Sequence, residues 1–292
     1  MKIYVLCDGG LGNQLFEYAC ARALAIKTGG EVVLDPWRSR RGRTRPLELQ
    51  HFNIKARFTT GFETLICRLV DASRLRPVAK IARKIVPGMI PTVVRQKKND
   101  YIPEIFEVPG PLFLDGWFQS ELYFRDHREQ LLPELTFRDP PDAINQEWLE
   151  KIRACNAVSV HVRRGDYVSD PFIATGIGTC SLEYYQAAID LIRQRVENPT
   201  FFVFSDDPEW TRRNLPVPEP RHFISHNCGK CDREDMRLMS ACKHFIIANS
   251  TFSWWGAWLA TNAEKIVIAP KRWFANPKYS EKDVVPTAWI RV

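Results

Sequence analysis

Short apolar runs alternate with stretches of helical periodicity along most of the chain. Residues 2–7 form an apolar-rich run that meets an acid and two glycines, the pattern of a buried strand entering a turn. Phe16, Cys20, Ala23 and Lys27 recur at turn spacing, which predicts a helix over 13–28 closed by Gly29-Gly30. Residues 31–34 read as a second strand and 36–46 as a basic loop. The stretch 62–86 is mostly helical in pattern and is interrupted near Pro77. Residues 87–111 are Pro-rich and read as irregular, 112–115 as a short strand, and helical segments are expected around 120–132. Asp139-Pro140-Pro141-Asp142 reads as a linker.

The second half repeats the alternation more clearly. Strands are predicted at 157–162, 201–205, 244–248 and 266–269, and helices at 232–242 and 251–261. A further helix is capped by Ser181 and puts Tyr185, Ala188, Ile189, Ile192 and Val196 on one face. Strand–helix alternation argues for parallel sheets with helices on both faces, an α/β fold. With 292 residues the chain fits two domains, read as 1–145 and 146–292, the C-terminal tail being free to return to the first. Ligands in such sheets bind beyond the C-terminal ends of the strands, so the informative residues follow each strand.

Composition narrows the class. Hydrophobic residues make up 45% and charged residues 26%, the balance of a soluble globular protein. No run approaches the roughly 18 apolar residues of a membrane span, and the N-terminus reads as a strand and not as a signal peptide. Eight cysteines without a secretory signal are read as reduced thiols of a cytoplasmic protein. His226, Cys228, Cys231, Cys242 and His244 match no zinc-finger spacing. Charge is uneven. Residues 22–98 hold 18 basic and 5 acidic residues, a local +13 within a net +7, so the remainder carries −6. That first third calls for an anionic partner: a phosphate-bearing substrate, a membrane surface or nucleic acid.

Four strand mouths carry candidate chemistry. After the first comes Asp8-Gly9-Gly10-Leu11-Gly12-Asn13-Gln14, where Gly10 and Gly12 permit close backbone approach, Asn13 offers an amide, and the following helix N-terminus attracts anions. Leu15 excludes the dinucleotide fingerprint and no Gly-Lys-Ser/Thr follows for a P-loop. After 157–162 comes His161-Val162-Arg163-Arg164-Gly165-Asp166. Here His161 and Arg163 share a strand face, two guanidinium groups can grip a pyrophosphate, and Asp166 can hold one of them. Ser205-Asp206-Asp207 follow the third strand, either binding a nucleoside or capping the next helix. Asn249-Ser250-Thr251-Phe252-Ser253 surround a helix start, offering hydroxyls and free backbone N–H groups to a phosphate, while Trp254, Trp255 and Trp258 are expected to pack that helix inward. No D-x-D element occurs, so no required divalent cation and no cofactor are expected.

These motifs in this order resemble the α-1,2-fucosyltransferases of glycosyltransferase family 11. The resemblance rests on Gly9-Gly10-Leu11-Gly12-Asn13-Gln14, His161-Val162-Arg163-Arg164-Gly165-Asp166 and Asn249-Ser250-Thr251-Phe252-Ser253-Trp254-Trp255, with Asp115-Gly116-Trp117-Phe118-Gln119-Ser120, Phe204-Ser205-Asp206-Asp207 and Leu238-Met239-Ser240 also similar. It runs from about residue 3 to about 270, and residues 60 to 100 carry no matching motif. It implies a GT-B architecture, two Rossmann-like domains facing across a cleft, with acceptor on the first and GDP-sugar on the second. It implies GDP-β-L-fucose as donor and a galactoside acceptor, oligosaccharide or lipid-linked. It implies transfer to the 2-hydroxyl with inversion and no metal. On that resemblance Arg163 contacts the β-phosphate, His161 lies near the nucleoside and Asn13 near phosphate or fucose. Asp8 and Asp166 are general-base candidates by position.

Two other classes stay open at this stage. Another GDP-sugar enzyme could use the same scaffold. A nucleic-acid-binding module would suit the basic first third, but no helix-turn-helix, OB or RRM signature appears and aromatic residues do not interleave with that charge. Leu65, Ile66, Leu69 and Val70, then Val78, Ile81, Ala82 and Ile85, lie at helical spacing among Arg74, Arg76, Lys80, Arg83 and Lys84, a pattern that fits either a core stripe or a peripheral contact with an anionic membrane surface.

Overall fold

A computed structural model describes residues 1–40, 45–86, 88–227 and 231–292. It divides into two compact units, Met1–Arg138 with Lys282–Val284, and Asp139–Glu281 with Val285–Val292. The change of unit falls at the linker expected at 139–142, where Asp142 caps the helix Ala143–Arg153 by accepting from the Asn145 amide.

The first unit is built on five parallel strands: β1 (Lys2–Leu6), β2 (Glu31–Asp35), β3 (Ala56–Phe58), β4 (Thr92–Arg95) and β5 (Leu112–Asp115), in spatial order β3-β2-β1-β5-β4. β1 is central and buried on both faces, which is why its sequence is a continuous apolar run. The helix Leu11–Thr28 follows it and ends on Gly29 at φ +64°, a left-handed cap. The expected 62–86 helix is two. Gly61–Asp71 starts with a Thr60/Glu63 capping box, and Arg76–Ile85 carries Pro77 in its first turn, where a missing N–H costs nothing. The break therefore precedes the proline. Trp37–Arg40 makes one helical turn at the start of the expected basic loop, whose residues 41–44 lie outside those described.

The second unit holds six parallel strands: β6 (Asn156–Val162), β7 (Pro199–Ser205), β8 (Arg221–Ile224), β9 (His244–Ile246), β10 (Val267–Ala269) and β11 (Ile290–Arg291). Their order is β11-β10-β9-β6-β7-β8. Counted from β6 this is the 3-2-1-4-5-6 arrangement of a doubly wound nucleotide-binding sheet. The helix Leu182–Arg195, capped by Ser181, lays Tyr185, Ala188, Ile189 and Ile192 on Val158, Val160 and Val203, as its periodicity predicts. The stretches expected to be irregular or left unassigned conceal β3, β4, β8 and β11. Each is two to four residues long, too short for periodicity to register.

In each sheet the chain leaves the first strand at the point where strand order reverses, between β2 and β5 in one and between β7 and β9 in the other. Open α/β sheets bind ligands at those points.

Candidate active site

The turn after β6 is organised around Arg163. Its Nη2 donates to Asp166 Oδ1 at 2.7 Å and its Nη1 lies 3.2 Å from Asp206 Oδ2. The guanidinium also sits 5.4 Å from the centroid of the Tyr167 ring, whose hydroxyl donates to the Asn249 carbonyl. Burial opposes the charge, but Asp206 and Asp166 outweigh it and leave the guanidinium held above its ordinary pKa. Arg163 is thus a cation fixed in place before any ligand arrives. Gly165 makes this possible: a Cβ there would meet Asp206 Oδ2 at 2.5 Å.

Arg164 points to a second support. Its Nε lies 3.3 Å from Asp207 Oδ2, its guanidinium stacks 3.6 Å over Trp210, and its backbone N–H donates to Asp206 Oδ1. The Ser205-Asp206-Asp207 segment, read from sequence as nucleoside-binding or capping, has its polar atoms engaged within the protein. Ser205 Oγ accepts from the Asp207 amide and the Thr211 hydroxyl, and Asp207 Oδ1 caps the helix Pro208–Asn214 through the Trp210 amide. Asp206 and Asp207 brace the arginines, and Ser205 holds Asp207.

His161 lies inside the same mouth with only 4% of its surface exposed. Its Nδ1 is buried without a partner, and its ring tilts against Phe252 at 5.8 Å. Burial, aided by the Arg163 charge, pushes its pKa down to about 3, so the imidazole is neutral.

The motif that begins at Asn249 splits into two roles. Asn249 Nδ2 lies within 3.2 Å of the carbonyls of Ile177, Gly178 and Trp273, and its Oδ1 accepts from Cys180. Asn249, expected with Ser250, Thr251 and Ser253 around a phosphate-binding helix start, has its side chain spent tying two loops to the strand end. Ser250 Oγ caps the helix Thr251–Leu259 through the Phe252 amide, and Ser253 Oγ donates back to the Ser250 carbonyl. Thr251 and Phe252 remain partly exposed at the first turn, where backbone N–H groups lack intrahelical partners. Trp254, Trp255 and Trp258 are buried against one another, as expected.

The mouth of β1 lies in the other unit. Asp8 Oδ1 accepts from the Gly9 amide at 2.7 Å, and its Oδ2 pairs with Arg38. Gly9, and not Gly10 or Gly12, is the glycine the backbone demands. It sits at φ +71°, and a Cβ there would meet Asn13 Nδ2 at 2.5 Å. Gly10 is extended at φ −79°, where a side chain is tolerated. Asn13 Oδ1 accepts from Gln119 at 3.0 Å, which accounts for Gln119 in the Asp115–Ser120 motif. Gln14 is buried and ties the Gly9 carbonyl to Pro46 and Glu48. Glu17, missed in the sequence because it stands inside a helix, receives the Asp8 amide and is held well above the usual carboxylate range by burial.

His226 meets Asn145 Oδ1 at 3.0 Å and His244 Nδ1 accepts from the Ile266 amide, so neither turns toward a shared centre. Cys228 lies outside the described residues. Among the described residues no group of three or more His, Cys, Asp or Glu could hold a metal ion.

Residues 96–292 match glycosyl transferase family 11, and the match includes all four motifs of the second unit. The chain belongs to glycosyl transferase family 11. This family 11 enzyme is 33% identical to the O-antigen biosynthesis glycosyltransferase WbnK of Escherichia coli, over 99% of this chain and 100% of that protein. It is 34% identical to an alpha-1,2-colitosyltransferase of Escherichia coli, over 97% and 96%. It is 28% identical to the galactoside 2-alpha-L-fucosyltransferase SEC1 of Bos taurus, over 86% and 62%. Among solved structures it is similar in fold to the NodZ alpha-1,6-fucosyltransferase soaked with GDP-fucose, with TM-score 0.52, 15% identity and coverage of 89% and 92%. Two Rossmann-like units of parallel sheet give the glycosyltransferase its GT-B type.

Proposed function

We propose that this glycosyltransferase moves L-fucose from GDP-β-L-fucose to the 2-hydroxyl of a galactoside, with inversion and without a metal ion. The observation that carries the reading is Arg163, a half-buried cation braced by Asp166 and Asp206 at the switch point of the nucleotide-type sheet. The acceptor oxygen attacks the anomeric carbon opposite GDP, the bond from that carbon to the β-phosphate oxygen breaks, and the hydroxyl proton passes to a protein carboxylate. Negative charge grows on the diphosphate as that bond breaks. A guanidinium fixed beforehand stabilises that charge most in the transition state, and the first-turn amides at Thr251 add to it. Arginine and amides do the neutralising that a metal does elsewhere. The neutral imidazole of His161 adds no further charge and can hydrogen-bond the nucleotide. The similarity to an alpha-1,2-colitosyltransferase and to a galactoside 2-alpha-L-fucosyltransferase supports α-1,2 transfer and a galactoside acceptor, and the NodZ complex supports GDP-fucose.

One observation favours a second donor. The colitosyltransferase is as similar as WbnK, and colitose is L-fucose without its 3-hydroxyl. The deciding experiment incubates the purified enzyme, in EDTA, with GDP-fucose, GDP-colitose or GDP-mannose and a panel of galactosides, followed by NMR of the product linkage. An α-1,2-fucosylgalactoside supports the proposal. Transfer from GDP-colitose alone selects the second reading. Transfer from GDP-mannose alone, or activity restored only by manganese or magnesium, overturns it.

A further inference from the structure

Between residues 72 and 99 the chain carries eight lysines and arginines and no carboxylate. This stretch contains the helix Arg76–Ile85, with Val78, Ile81 and Ile85 on one face by their spacing of three and four. A helix lying on a sheet ordinarily turns such a face inward. Here the small residues face the core: Ala79 is buried in the cluster around Tyr4, Val33 and Phe113, and Ala82 packs beside it. The large ones face out. Val78 is 52% exposed, Ile81 61% and Ile85 73%. On the preceding helix Ile66 and Val70 enter the same core while Phe62 and Leu65 stay exposed, and Val86 and Met89 continue the exposure beyond Ile85. The stripe thus divides residue by residue: Ile66, Leu69, Val70 and Ala82 pack on the core, and Leu65, Val78, Ile81 and Ile85 face out.

The charges are arranged to match. Arg83 turns inward and donates to the carbonyls of Ile90 and Pro91. Arg74, Lys80, Lys84, Lys97 and Lys98 are exposed.

We propose that this face docks on an anionic lipid bilayer, with Val78, Ile81 and Ile85 at the boundary of headgroups and acyl chains and Lys80 and Lys84 at the phosphates. The occupant must offer apolar depth below a layer of negative charge, which a bilayer surface does. A second copy would bring the same basic segment against itself, since a two-fold interface pairs like with like. A nucleic acid supplies charge but nothing for exposed aliphatic side chains to enter. The long stems of Lys80 and Lys84 can lie along apolar surface and raise their ammonium groups to the phosphates. The inference does not rest on the identity of the sugar or acceptor.

Flotation of the full chain with phosphatidylcholine vesicles, and with the same vesicles containing phosphatidylglycerol, tests it. Binding is expected on the anionic vesicles at low salt and should weaken as salt rises. Each basic residue near such a surface is worth about fivefold in partitioning, so Lys80→Glu with Lys84→Glu should weaken binding by at least about 25-fold. Ile81→Ser with Ile85→Ser should lower it by about tenfold or more. Both pairs are exposed, so melting temperature and transfer to a soluble acceptor should match the parent. No flotation on anionic vesicles at low salt, or equal flotation on both kinds, overturns the proposal. So does binding unchanged in both variants, or a dimer in sedimentation velocity that Ile81→Ser with Ile85→Ser dissolves.

Discussion

The two sheets open at the same topological position but around central groups of opposite charge. Past β1 the centre is a carboxylate: Asp8 is held by Arg38 and the Gly9 amide, and the neighbouring ends of β2 and β5 carry Asp35 and Asp115. Asp35 pairs with Arg68, which lies 3.3 Å from Asp71; Arg95 joins Asp71 to Asp115. Past β6 the centre is a guanidinium, and Asp166 and Asp206 are its supports. In one mouth arginines position acids; in the other acids position an arginine. A central strand and a glycine turn do not choose between these; the side chains at the turn do. A departing diphosphate needs the arginine-centred mouth, and a hydroxyl that must lose its proton suits the acid-centred one. On that basis we propose the first for the donor and the second for the acceptor.

The largest effect is expected at Arg163. Arg163→Ala should lower turnover by about a hundredfold or more, the scale of losing one oxyanion-type donor. Arg163→Lys should recover only part, because a point charge cannot reach Asp166 and Asp206 as the fork does. A folded Arg163→Ala enzyme with near-normal kcat would erase the distinction between the mouths.

Next comes Asn249→Ala, which removes the Nδ2 donor from the carbonyls of Gly178 and Trp273, while the Ile177 carbonyl keeps the Ala275 amide. Stability should fall by about 2 kcal/mol, read from denaturant unfolding, whereas Thr251→Ala should leave it unchanged. An unaltered unfolding midpoint for Asn249→Ala with lost GDP affinity would return Asn249 to ligand contact.

Asp8→Asn keeps the size of the side chain and removes its charge. Transfer should drop about tenfold while GDP affinity, measured by calorimetry, stays put. Weakened GDP binding with a normal acceptor KM would reverse the assignment of the two mouths.

The smallest effect concerns His161. Its folded pKa is pushed down to about 3, against about 6.5 when unfolded. As pH falls through about 6.5 the unfolded chain takes up the proton first, so the stability this residue contributes is present above that pH and drains away toward 3. Near pH 5.5 the loss is about 1 kcal/mol. His161→Gln should flatten the dependence of Tm on pH across that window. An unchanged slope would mean that the imidazole is not held neutral.

The sequence alone determined the class of fold, because buried parallel strands such as β1, β6 and β7 must be continuous apolar runs and their turns must carry glycine or acid. It determined the family, because three long polar motifs at strand ends are improbable together by chance. It also made the pairing of Arg163 with Asp166, three residues apart in one turn, legible. What only the tertiary structure decided concerns partners far apart in the chain. Asp206 lies beside Arg163 because β7 pairs with β6, and Asn249 is consumed by loops from residues 177, 178 and 273. Gly9 and not Gly10 takes the left-handed conformation, and a Cβ there would run into the side chain of Asn13, four residues on. The helix Arg76–Ile85 shows the limit most plainly. Periodicity reveals that Val78, Ile81 and Ile85 share a face, but not which way the face turns, and Ala79 could reach the core only by turning the larger residues outward.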